Sequence, residues 1–138
     1  MAQLADLEWA DGIAMGSPTR FGNMASQMKN FIDQAGPLWA QGALEGKAAT
    51  CFTSTGTMHG GQESTIITMW IPLVHLGMLV FGVPYSEPEI NYTDRGGSPY
   101  GASTVSGSKN DWQPNETELS VAWKQGRRLA VLTHKLRG

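Results

Sequence analysis

From Asn23 onward, apolar side chains fall at Met24, Met28, Phe31, Ile32 and Ala35, the recurrence that lines one face of an α-helix. Gly36 and Pro37 follow, and they are expected to end that helix, since neither extends a helix well. Upstream, "LADLEWAD" (Leu4–Asp11) reads as a short helix and "GIAMG" (Gly12–Gly16) as a brief buried strand. Downstream, "AATCFTS" (Ala48–Ser54) reads as a second buried strand, entered through the turn Glu45–Lys47. "STIITMWIPLVHL" (Ser64–Leu76) predicts a further helix, kinked at Pro72, whose ring conflicts with the Thr68 carbonyl. "MLVFGV" (Met78–Val83) predicts a third strand. Pro84–Gln113 is rich in Gly, Ser, Pro, Asn and Asp and reads as one long loop. A last helix opens at Asn115, with Glu118 three positions on as its capping partner. Its apolar face is expected along Leu119, Ala122, Trp123, Leu129, Leu132 and Leu136.

Strands alternating with helices predict an α/β fold with a parallel, doubly wound sheet, in one domain spanning 1–138. Such sheets bind ligands at the carboxyl ends of their strands. Two stretches sit there. "SPTRFGN" (Ser17–Asn23) follows the first strand and precedes a helix, and its backbone N–H groups and polar side chains suit a planar, polar ring edge. "TSTGTMHGGQE" (Thr53–Glu63) follows the second, with three glycines that permit close backbone approach. Loops at successive strand ends converge on one crevice, which points to a cofactor site.

Composition changes the picture mainly by exclusion. The 41% hydrophobic and 16% charged fractions are those of an ordinary globule. The net charge of −2 offers no footprint for nucleic acid. No apolar run suits a membrane span, and the first ten residues lack the order of a signal peptide. One cysteine, Cys51, rules out an intrachain disulfide and fits a cytoplasmic location; mid-strand among apolar residues, it reads as a buried inert thiol. Glycine is the exception, at 17 of 138 residues against a usual share of about 7%.

Most familiar chemistries find no support. "GALEGKAA" (Gly42–Ala49) is too short for a phosphate-binding loop, and no Ser or Thr follows Lys47. There is no Gly-x-Ser-x-Gly elbow. His59, His75 and His134 lack zinc-type spacing. No side chain reads as a catalytic nucleophile.

"GSPTRFGNMASQMKNFIDQAGPLWAQGALEGK", "STGTMHGGQE" and "RGGSPYGAST" together resemble the WrbA family, FMN-dependent NAD(P)H:quinone oxidoreductases of flavodoxin-like fold. The resemblance runs along nearly the whole chain, and the Pro-Thr-Arg-Phe-Gly-Asn run is its most specific motif. It implies that Thr19, Arg20, Phe21 and Asn23 line the isoalloxazine of FMN, and that Ser54, Thr55, Gly56, Thr57, Met58 and His59 cup its pyrimidine edge. It implies that Trp39 walls the substrate pocket and that His75 reaches the flavin site, both serving sites built across the subunits of a homotetramer. The Pro84–Gln113 loop would then be the family's insertion and carry subunit contacts.

The chain departs from that pattern at its start. Such chains open with a strand, a Ser/Thr-rich loop that grips the FMN phosphate, a helix and another strand. Here Met1 falls just ahead of the helix leading into the family's third strand, so a leading βαβ unit of more than about 30 residues is expected to be missing. The remainder is expected to be a three-stranded half-sheet with an exposed apolar edge.

The sequence therefore predicts a two-electron flavin reductase that moves a hydride from NAD(P)H through flavin to a quinone. Two other readings stand beside it: an interaction module that has lost flavin, and a flavodoxin-type one-electron carrier. Taken alone, three of the site residues also fit structural roles: Trp39 as the cover of a helix end, His75 as a core histidine, and Phe21 as a hydrophobic staple.

Overall fold

The computed structural model describes residues 2–138. The chain runs α1 (Leu4–Trp9), β1 (Gly12–Arg20), β2 (Asn23–Met24), α2 (Ser26–Asp33), α3 (Gly36–Ala40), β3 (Ala48–Thr55), α4 (Gln62–His75), β4 (Leu79–Val80), α5 (Glu89–Tyr92), β5 (Ser103–Val105) and α6 (Glu116–Arg137). β1 and β3 are the parallel heart of the sheet, in register from Gly12↔Ala48 to Pro18↔Ser54. Their inward side chains, Ile13, Met15, Ala49 and Cys51, meet Ile66, Met69 and Leu73 of α4 in the main core. Pro72 sits inside α4, which continues through it to His75.

The far side of β3 is shared. β4 pairs with its start, at Ala48↔Leu79 and Ala49↔Val80. β5 pairs with its end, from Thr53↔Ser103 to Thr55↔Val105. This corrects three expectations. The strand expected over Met78–Val83 is paired only at Leu79 and Val80, because Gln125 takes the Cys51 carbonyl that would continue the ladder and the Val83 N–H turns to the Pro99 carbonyl instead. The sheet has five strands, not three. Pro84–Gln113 is not one structureless loop: it carries α5 and β5, and its Ile90 and Ala102 form a second core with Val83 and Val121. The outer edge of β1 from Gly12 to Pro18 faces no strand among the described residues.

The last helix opens where expected, with Asn115 and Glu118 exchanging side-chain and backbone hydrogen bonds. Its buried stripe differs. Glu118, Val121 and Gln125 face inward, with Leu129 and Leu132 half-buried below them, whereas Leu119, Ala122, Trp123 and Leu136 are exposed. The stripe is rotated by about one residue, roughly 100°, because two polar side chains find full sets of partners inside. Gln125 accepts from the Ala102 N–H and donates to Thr50 Oγ1 and the Cys51 carbonyl. Glu118, 2% exposed, accepts from the N–H groups of Gly96, Val105 and Asn115 and from the Thr104 hydroxyl. Arg95 lies 3.3 Å from the same carboxylate. A pattern of apolar positions cannot show a buried glutamate.

Gly36 and Pro37 do end α2, but they also start α3, where proline in the first turn wastes no hydrogen bond. Among the described residues, no helix is long and apolar enough to cross a membrane.

Candidate functional site

β1 runs beyond the expected Gly16, through Ser17 and Pro18 to Arg20, and turns back as a hairpin with β2: Thr19 pairs with Met24 and Arg20 with Asn23. The two turn residues both have positive φ, 53° at Phe21 and 76° at Gly22. That is the turn whose twist suits a two-residue hairpin. For phenylalanine it is a strained conformation. The ring gains nothing from the protein in return, since Phe21 is fully exposed. This excludes the hydrophobic staple and leaves an aromatic face presented to solvent at the carboxyl end of the sheet.

The second loop meets the first. A Cβ added to Gly61, which has φ +95°, would lie 2.8 Å from Gly22 Cα. Thr19 Oγ1 lies 2.7 Å from Thr65 Oγ1 and 3.3 Å from the Gly60 carbonyl. Thr65 is fully buried, so this pair ties β1 to the first turn of α4. Thr65 lies one and two turns before Met69 and Leu73 on the inward face, which is the sequence signal that could have found it. In the loop itself, the Thr57 carbonyl accepts from the Gly60 N–H and the Thr55 hydroxyl. Among the described residues, nothing accepts from the N–H groups of Thr57, Met58 or His59. Met58 and His59 are exposed.

A third loop joins them, from within the Pro84–Gln113 segment that was expected to carry subunit contacts. Ser106, just after β5, donates through both its N–H and its hydroxyl to the Thr55 carbonyl. Arg95 donates to the Val105 and Gln113 carbonyls and stacks over Trp112. Three strand ends thus present loops side by side.

Trp39 and His75 lie elsewhere. They face a groove of about 550 Å³, with Met24, Thr68, Ile71 and Pro72 in its walls. Asn23 lines the groove at the hairpin end. Trp39 is 63% exposed, so it does not simply cover a helix end, and His75, also exposed, is no core histidine. His75 closes the last turn of α4, a helix of 14 residues and so about 20 Å long, whereas the Ser54–His59 loop precedes its first turn. Within one chain the structure brings Trp39 and His75 together and separates His75 from that loop. Cys51 is fully buried, and burial pushes its thiol up to about 12, so it is not a nucleophile.

The unpaired donors of Thr57–His59 and the exposed ring of Phe21 fit a flat heteroaromatic with a polar edge, as the ring system of FMN is. A model of the NADPH-dependent FMN reductase family matches residues 2–87. An NAD(P)H dehydrogenase (quinone) from Syntrophus aciditrophicus is 51% identical over 138 residues, covering 99% of this chain and 68% of its own length. One from Methylocella silvestris is 50% identical over 140 residues, covering 100% and 70%. One from Methanosarcina barkeri is 50% identical over 131 residues, covering 94% and 63%. The crystal structure of a flavodoxin, WrbA-like protein from Agrobacterium tumefaciens matches with a TM-score of 0.71 at 21% identity, over 95% of this chain and 71% of that one. The fold is therefore flavodoxin-like.

Proposed function

The chain belongs to the NADPH-dependent FMN reductase family, and from that membership we propose that it serves as an FMN-dependent NAD(P)H:quinone oxidoreductase. The observation that carries this reading is the joined pair of loops at the sheet's carboxyl end, with Phe21 exposed at the tip of one and three unpaired N–H groups on the other. Bound there, FMN supplies acceptance of a hydride from NAD(P)H and delivery of two electrons to a quinone.

The chain's own residues position and polarise. Thr19, held by Thr65, fixes where the hairpin meets the cup. Phe21 offers its face for stacking, with Arg20 and Asn23 at the rim. With a flavin bound, the N–H groups of Thr57, Met58 and His59 would be the donors available to its polar edge and would favour negative charge there, at no reorganisation cost because the turn is already formed. Trp39 walls the place that nicotinamide and quinone occupy in turn.

The separation of Trp39 and His75 from the cup supports a site completed by assembly. We read both as completing the flavin site of a neighbouring subunit in a homotetramer. Exposed Ile67, Ile71 and Val74 on α4 support this, since they form an apolar strip at helical spacing beside the groove. The cytoplasm is the matching compartment for a chain whose single cysteine is free.

The test is a visible absorption spectrum of the purified protein, phosphate analysis of any released flavin, and a steady-state assay with NADH, NADPH and a soluble quinone. A flavin spectrum with quinone-dependent NAD(P)H oxidation is expected. A protein with neither would be an interaction module.

A further inference from the structure

Ser106 holds the start of the flavin cup from the segment between α5 and α6, and a second side chain of that segment, Ser103, reaches the Met58–His59 turn through Gln62. Ser103 Oγ accepts from the Gly97 N–H at 2.8 Å and lies 2.6 Å from Gln62 Oε1. With a lone pair already engaged by that N–H, the hydroxyl is free to donate, and it donates to the Gln62 carbonyl oxygen. That fixes the orientation of the amide, and its Nε2 donates to the Met58 carbonyl at 2.9 Å. The relay runs from Gly97 through Ser103 and Gln62 to Met58. Its far end is anchored: Gly96 and Val105, on either side of Gly97 and Ser103, both donate to the buried Glu118 carboxylate.

The consequence lies in the peptide plane. The Met58 carbonyl and the His59 N–H belong to one trans peptide unit and point in opposite directions. Holding the carbonyl against the first turn of α4 turns the His59 N–H away from that helix. The preceding unit is held in the same way, with the Thr57 carbonyl pinned by Thr55 and Gly60, so the Met58 N–H is aimed as well. Gln62 therefore sets the direction of a donor that nothing among the described residues engages.

We propose that Gln62 is a positioning residue for the reaction: held by Ser103, it aims the His59 N–H at the flavin. This rests on the reading of Ser54–His59 as the flavin cup. Gln62 touches neither cofactor nor substrate in this role and acts through the loop backbone alone.

The experiment compares wild type with Gln62→Met, which keeps the volume and removes both polar contacts, with Ser103→Ala, and with the double variant. FMN affinity by fluorescence quenching and the midpoint potential of bound FMN are measured, alongside thermal unfolding. Gln62→Met is expected to raise the FMN Kd on the order of tenfold. It is also expected to move the potential to a more negative value, because a donor to the reduced ring is lost. Ser103→Ala should move both readouts in the same direction by less, and the double variant should be no worse than Gln62→Met, as for residues acting in series. Variants that unfold at lower temperature while keeping wild-type Kd and potential would overturn the proposal. Wild type that binds no FMN would overturn the flavin reading instead. Amide exchange then decides the relay: faster exchange of the Gly60 N–H, which the Thr57 carbonyl holds, in Gln62→Met sustains it, and unchanged exchange refutes it.

Discussion

Gly22 and Gly61 touch: no side chain fits between the tip of the β1–β2 hairpin and the start of α4, where a Cβ on Gly61 would come within 2.8 Å of Gly22 Cα. The contact makes two loops from distant parts of the chain into one surface. Gly61→Ala meets two obstacles, the clash and a φ of +95° that L residues avoid. The expected cost is about 1–3 kcal/mol of stability, together with weakened flavin binding as the hairpin is pushed aside. Urea denaturation and FMN titration of the same preparation check both.

Removing the Glu118 carboxylate should be far more damaging than its place on a surface helix suggests. Glu118→Ala takes the counter-charge from Arg95 and frees the N–H groups of Gly96, Val105 and Asn115 inside the protein. Breaking a buried pair in this way costs about 3–5 kcal/mol. A urea midpoint within error of wild type would show that water replaces the carboxylate.

Acid should loosen the contact between α5 and α6. Hydrogen bonds from Lys124 and then Ser120 hold the Glu89 carboxyl down at about 2, from an ordinary value of 4.5. A lowered carboxyl pKa contributes stability that is complete above the unfolded-state value and is lost as pH falls from about 4.5 through about 2. Glu89→Gln should therefore melt below wild type at pH 6, with the gap closing as pH approaches 2. A gap that stays constant with pH would refute the linkage.

Trp39→Ala should raise the quinone KM about two- to tenfold, the loss of an aromatic stack worth about 0.5–1.5 kcal/mol. Flavin content should stay at the wild-type level. Unchanged quinone kinetics would remove Trp39 from the substrate site.

Cys51 should resist alkylation. With its thiol buried and held up at about 12, iodoacetamide at pH 8 should label the protein only after denaturation. Labelling of the native state would mean that β3 opens.

The sequence by itself determined the elements whose signal is local. α4 shows as a long apolar run, the start of α6 as an Asn-x-x-Glu cap, and the two loops as turns after buried strands, one polar and one rich in glycine. Only the tertiary structure decided what depends on distant partners. β5 is three residues long, too short to show a period of two, and is a strand because the end of β3 offers it an edge. Glu118 and Gln125 face inward because backbone donors and acceptors from the Gly96–Val105 segment and β3 await them, which no count of apolar positions can register. Phe21 has the composition of a core residue, and only the hairpin turn puts it in solvent. Periodicity records what a side chain prefers on average, whereas hydrogen-bond partners and strand edges are supplied by residues far away in sequence, and here they placed the third loop and aimed the site.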